Sequence, residues 1–194
     1  MNDLIPRLEW NEQSATATRI SGNPTLSSIS STAGINVGMI ASGTGIPTGA
    51  TVISKTVSSV TLNVNASLSG TSVIAFVERL DFQYPPRSDS EEELKPSQTV
   101  TTSLSGVNQY QTNYLEAVRD LEFDLVQQTD ADKLKDNFYI YAYKGNSFKY
   151  YEDKDVASYN TVELDQKSFQ RKRRTSRGSS FFYSIKLSLR RVVA

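Results

Sequence analysis

Most protein chemistry is carried by a few residue types, and this chain of 194 residues has neither cysteine nor histidine. Thiol nucleophiles, His-dependent triads and zinc sites built on Cys or His are excluded, as is the side chain best suited to proton transfer near neutral pH. Two carboxylate pairs remain whose spacing could serve as acid and base, Asp130 with Asp132 and Asp153 with Asp155. The second pair also has the opening of a calcium loop, but the following glycine and the distant glutamate are missing. A helix cap accounts for the first pair and an acidic hairpin loop for the second. No catalytic, metal or cofactor-binding residue is assigned, no cofactor is expected, and the chain is not expected to be an enzyme.

Charge is the other chemically loaded feature. The chain carries 21 basic and 21 acidic side chains, but they are segregated. Between Ile20 and Val77 the only charged residue is Lys55, and from Lys167 onward there are nine basic residues and no acidic one. The basic cluster Arg171, Lys172, Arg173, Arg174 and Arg177 could neutralise phosphates, or could meet an acidic surface on a neighbouring subunit. Interleaved aromatics for base stacking are absent from it, although Phe169, Phe181 and Phe182 flank it, so protein contact is the favoured reading. The opposite charge sits in Glu91, Glu92 and Glu93, bracketed by Pro85, Pro86 and Pro96. Prolines that cannot join a ladder around like charges that repel predict an exposed, extended arm over 84–98. These residues are candidate protein-interface residues.

The elements that must position these charges are mostly strands. Thr99 to Leu104 and Gln109 to Leu115 favour strand around a turn at Ser105–Asn108. Arg119 to Val126 places Leu121, Phe123 and Leu125 on one face and Asp120, Glu122 and Asp124 on the other. Thr129 is a suitable N-cap for a helix over 129–144, with Leu134, Phe138 and Tyr141 or Ala142 at helical spacing and Gly145 as the stop. Two strands follow, Ser147–Tyr151 and Tyr159–Leu164, around an acidic loop, and Phe181–Leu189 alternates again.

The low-charge segment contains β-branched bursts at Thr16–Ile20, Leu26–Ser30, Val37–Ala41, Thr51–Val57, Val60–Val64 and Val73–Val77, separated by turn formers. This spacing predicts a small ordered β module over 11–77. Arg7-Leu8-Glu9-Trp10 before it and Arg79-Leu80-Asp81-Phe82 after it share one pattern. The echo marks either an insertion between equivalent edges of a host domain, 1–10 with 78–194, or a coincidence of short motifs. The predicted fold class is mainly β (α+β): an antiparallel sheet or sandwich domain with one covering helix, plus the small inserted all-β module near the N-terminus. The start of the chain lacks the pattern of a secretory signal, and no apolar run approaches the roughly 20 residues needed to span a bilayer. Both features, with the absence of cysteine, suggest a soluble protein made in a reducing cytoplasm.

The order of features from Tyr84 onward resembles minor tail proteins of long-tailed bacteriophages. The resemblance rests on the diproline, the acidic stretch, Gln98-Thr99-Val100-Thr101-Thr102-Ser103-Leu104-Ser105-Gly106-Val107-Asn108-Gln109, the Leu121-Glu122-Phe123 strand and the helix. It continues through Lys144-Gly145-Asn146-Ser147-Phe148-Lys149-Tyr150-Tyr151-Glu152-Asp153 to the closing Phe182–Val192 strand. Val37 to Val52 is similar to a β segment that recurs in phage virion proteins. The resemblance implies a distal tail, tail-tip or baseplate adaptor: a homo-oligomeric ring, usually sixfold, that joins the tail tube to hub, tip or baseplate proteins. It implies a place in the virion tail after synthesis in the host bacterial cytoplasm, with no membrane and no sequence-specific nucleic acid as partner. The module over 11–77 departs from a plain distal tail protein, which leaves open a neck or head-to-tail connector. A carbohydrate or host-surface-binding role for the module is the other alternative, although between Ile20 and Val77 its only aromatic residue is Phe76.

Overall fold

The computed structural model describes residues 4–90, 93–166, 169–177 and 180–193. The protein is mainly β, with antiparallel sheets, one helix and a small all-β module inserted near the N-terminus. It divides into two compact units, Met1–Leu8 with Leu80–Ala194, and Glu9–Arg79.

The Glu9–Arg79 unit is built from most of β1 (Arg7–Arg19) and β6 (Gly70–Asp81), with four short strands between them. These are β2 (Thr25–Leu26), β3 (Ile40–Ser42), β4 (Val52–Lys55) and β5 (Val60–Leu62). Each β-branched burst in the sequence contributes to one of these six strands. β3 pairs antiparallel with β6, and β5 lies between β2 and β4 in a separate three-stranded sheet. Alternate residues point inward, so Leu26, Val52, Leu62, Ile74 and Phe76 share one core with Met39. Lys55 is spent locally: its Nζ donates to the carbonyls of Thr32 at 3.1 Å and Ile35 at 2.5 Å, tying β4 to the loop before β3.

The larger unit is organised by two long strands, β9 (Asn108–Gln127) and β13 (Ser180–Val193), paired antiparallel from Leu115↔Val193 to Gln127↔Phe182. One edge of β13 takes β11 (Asn160–Leu164) near its C-terminal end and β12 (Gln170–Arg177) near its start, and β10 (Phe148–Tyr151) pairs with β11. The free edge of β9 takes β7 (Ser88–Asp89) and β8 (Glu93–Thr102). Gln109–Leu115 and Arg119–Val126, expected as separate strands, are thus parts of one.

The inward face carries Leu121, Phe123, Ile185, Leu187 and Leu189, all buried. The helix covers this face as α1 (Gln128–Lys133), a π-helical stretch (Leu134–Phe138) and α2 (Tyr139–Tyr143), burying Ala131, Leu134, Phe138 and Ala142. Phe82 stacks on Phe123 at 3.8 Å between centroids, and Phe138 meets Phe148 edge-on at 4.7 Å.

Two local expectations fail. Thr129 is not the cap, because the helix starts at Gln128 and no side chain caps it. Gly145 does end it, at φ +81° with its N–H on Ala142 O. Leu125 does not point inward with Phe123: two residues of β9, Asp124 and Leu125, oppose the single Ser184 of β13. This bulge puts Leu125 at φ +59° and 43% exposed, and Val126 takes the inward place. A non-glycine residue with positive φ costs about 1–2 kcal/mol. Leu125→Asn, which tolerates that conformation, should raise unfolding free energy in urea by about 0.5–1 kcal/mol, and Leu125→Val should lower it. Phe123→Ala, which empties the stacked core, should cost about 3–5 kcal/mol in the same experiment.

Candidate functional site

The residues expected to form interfaces all fall in the larger unit, and the structure sorts them. Pro85 and Pro86 are half-buried in the turn between β6 and β7. Glu91 and Glu92 lie outside the described residues; Glu93 opens β8 and is exposed. The segment expected as an exposed, extended arm over 84–98 runs beside β9: Arg87 N–H donates to Glu122 O, Ser90 N–H to Asp120 O, and Glu93 to Ser97 pair with Val118 to Tyr114. Pro96 is accommodated because β8 is an edge strand, where a missing N–H costs no ladder bond.

Arg171 to Arg174 form β12, whose pleat sends them to opposite faces of the sheet. On the helix side, Arg171 pairs with Asp132 at 2.5 Å and lies 4.9 Å from the Tyr183 ring, and Arg173 lies 3.9 Å over Phe181. On the other side, Arg174 meets Asp124 at 3.3 Å and Glu122 at 3.6 Å. Lys172 is exposed, and the side chain of Arg177 lies outside the described residues. Arg171 and Arg174 of the basic cluster are therefore paired with acids of their own unit. The aromatics missing from within the cluster come from β13, brought alongside by the hairpin, which sets Tyr183 and Phe181 twelve and eight positions on from Arg171 and Arg173.

The acidic face of β9 continues this pattern. Arg190 bridges Glu116 at 3.3 Å and Glu163 at 2.7 Å, Lys186 meets Asp120 at 3.0 Å, and Arg87 joins Arg174 at Glu122 and Asp124. Ser188 and Ser184 add hydroxyl donors to Asp120 and Glu122. The basic C-terminal third and the acidic strand are thus halves of one cross-strand charge ladder.

One pocket in this unit gathers polar side chains. A cavity of about 180 Å³ is lined by Arg119, Tyr150, Glu152, Asn160 and Arg191 among others. Arg119 takes both oxygens of Asp89, at 2.5 and 2.6 Å, and reaches Glu152 at 2.7 Å. These hydrogen bonds, Asp89 first, raise its pKa further, so it is a fixed cation. Arg191 donates to Asn160 Oδ1 at 3.0 Å. The cations and carboxylates balance within the site, which makes it a structural clamp between β7, β9 and the β10–β11 loop. In that loop Asp153 accepts from the Asp155 N–H, an ordinary local turn, and among the described residues no group of three or more metal-ligating acids is present.

No family model matches this chain. No curated protein and no solved structure matches it either. Function must therefore be argued from surfaces. Among the described residues no helix is long and apolar enough to cross a membrane.

The outer part of the β8–β9 hairpin has no third strand beside it among the described residues. Its last β13 partner is Leu115, so the part from Gln98 to Thr112 pairs only with itself among the described residues. Measured along β9 from Leu115 to Asn108, this part is about 24 Å long. Its turn is well made: Ser103 N–H donates to Val107 O, Gly106 N–H to Ser103 O, and Gly106 sits at φ +80°. From Ser97 to Tyr114 there is no charged residue, and Val100, Leu104 and Val107 are exposed. The sequence showed a strand, turn and strand here, but not that one strand, β9, runs on from this hairpin into the pairing with β13.

Burial raises the Tyr150 hydroxyl to a pKa of about 12, opposed by the cation of Arg119. Its folded value thus lies above the ordinary 10. The folded form keeps the proton that the unfolded chain releases, so this contribution is full below pH 10 and is lost as pH rises toward 12. Tyr150→Phe should flatten the fall of stability between pH 10 and 12 by about 2 kcal/mol, measured as urea midpoints across that range.

Proposed function

We propose that this protein is a structural component of a long-tailed phage virion, a ring-forming adaptor in the tail that joins the tail tube to hub, tip or baseplate proteins. It works without turnover, by fitting against copies of itself and against neighbouring rings. The order of sequence features supports the tail assignment, and the β8–β9 hairpin carries the assembly reading. A two-stranded hairpin is marginal alone in water, and exposed strand edges are normally blunted by charge. This one is long and neutral, and among the described residues its outer part has no strand on either edge. An edge of this kind suits the addition of a strand from a second copy. In a closed ring such a contact is heterologous, with the arm of one subunit meeting a different surface of the next.

The arrangement of the arginines moves the expected interface. Reversing Arg171, Arg173 and Arg174 to Glu would break internal pairs with Asp132, Glu122 and Asp124 and destabilise the subunit, so it would not isolate assembly. The arm gives a cleaner test because its apolar side chains are exposed. Light scattering and negative-stain microscopy of the wild-type chain, alone and co-expressed with tail partners, should show closed rings. Val100→Lys with Leu104→Lys and Val107→Lys should give monomers with unchanged circular dichroism and melting. Monomeric wild type under every condition, or rings that persist in the triple variant, would sink the arm contact.

A further inference from the structure

The Glu9–Arg79 unit holds a charge that its own residues do not balance. Arg19, at the end of β1, is 5% exposed, yet no Asp or Glu occurs between Gln13 and Val77. Along the paired strands, Glu12 is seven residues from Arg19 and Glu78 six from Ser72, about 20 Å or more in each case. No carboxylate pairs with Arg19 anywhere among the described residues. Its one hydrogen bond runs from Nη1 to Ser72 Oγ at 2.6 Å, and its Nε is buried without a partner. The other cation of this segment, Lys55, has its two carbonyl acceptors; Arg19 has a single hydroxyl. A buried, unpaired guanidinium is costly, and stable proteins normally supply its counter-charge.

The surroundings of Arg19 are shaped to leave one corner of it open. Gly45, at φ +71°, lies so close that a Cβ there would sit 2.7 Å from Nε, which shuts that edge. A Cβ at Gly70 would stand 3.6 Å from Nη2, so bare glycine backbone keeps the approach to Nη2 clear. The adjoining turns are tied by serines: Ser21 N–H donates to Ser69 Oγ, Ser21 Oγ to Ser67 O, and Ser67 N–H to Gly45 O. The collar is small, neutral and rich in hydroxyls.

We propose that Arg19 anchors a binding site for a carboxylate, received at Nη2 within the collar formed by Gly45, Ser67, Ser69, Gly70 and Ser72. A carboxylate is favoured over a phosphate dianion because the site holds one positive charge and only neutral hydroxyls beside it, so a second negative charge would be buried without compensation. The carboxylate comes from outside the segment, since its own sequence contains none. The proposal is independent of ring assembly and concerns the inserted module alone.

The test is a thermal melt of the full chain at neutral pH in sodium acetate, sodium glucuronate and sodium chloride at matched ionic strength, with glucose as the uncharged control. Ligand at ten times its dissociation constant should raise Tm by about 3–5 °C over chloride in the wild type. Arg19→Gln and Arg19→Met should lose that response, with the glutamine variant retaining a hydrogen-bonding side chain should the apolar one fold poorly. Backbone amide shifts at Gly45, Ser69 and Gly70 during titration of the wild type locate the site without any variant. A larger effect of glucuronate than acetate supports the proposal with an acidic sugar as source, and equal effects support it with a bare carboxylate such as a peptide side chain. Equal melting in carboxylate and chloride, a response that survives in both variants, or amide shifts only elsewhere would overturn it.

Discussion

The antiparallel pairing of β9 with β13 is the constraint on which the larger unit depends. From Leu115↔Val193 to Gln127↔Phe182 it aligns two sequences that alternate with the same period, so that over Leu121–Phe123 and Ile185–Leu189 the inward residues are apolar and the outward ones polar. Ile185 faces Phe123 and Leu187 faces Leu121, and the helix closes over them. On the reverse face the same register brings the Glu116–Asp124 acids against Lys186 and Arg190. A slip of one residue would bury the charges and expose the core, so the charge pattern fixes register even where each exposed pair contributes little stability. The bulge at Leu125 is where this register is reset before the chain turns into the helix.

Neutrality takes on a different meaning in this light. The sequence separates acids and bases by some fifty residues or more, which reads as two complementary patches for two molecules. The fold pairs Arg171, Arg174, Lys186 and Arg190 with acids of the same unit, because β12 and β13 return alongside β9. For the assembly proposed above, the backbone and apolar surface of the β8–β9 hairpin carry the contact. Such contacts are directional and insensitive to salt, which suits a permanent assembly better than a reversible encounter.

Much of the fold was legible in the sequence. The six β-branched bursts of the module, the acidic alternation of β9, the buried helix positions Leu134, Phe138 and Ala142 and the Gly145 stop all report local periodicity, which a strand or helix expresses directly. What was not legible is pairing. The bulge at Leu125 and the partners of Arg171 and Arg174 depend on which element lies beside which, and alternation within one strand carries no information about its partner. Arg19 is an intermediate case: the acid-free stretch around it is visible in the sequence, but only the fold shows that the guanidinium is buried rather than solvated.

The two units also solve the problem of charge differently, and this bears on what each can do. The larger unit pairs many of its charges internally and exposes a neutral hairpin, whose backbone edge is the surface proposed above for assembly. The smaller unit excludes carboxylates from a 65-residue stretch yet keeps a buried arginine in it, a choice that serves no purpose for stability, since an apolar side chain would fill the same space without the desolvation cost. A charge retained at such a cost, with glycines at its open corner, is best explained by a counter-charge that arrives from elsewhere. The assembling sheet and the recognising module proposed above each rest on one of these two charge arrangements.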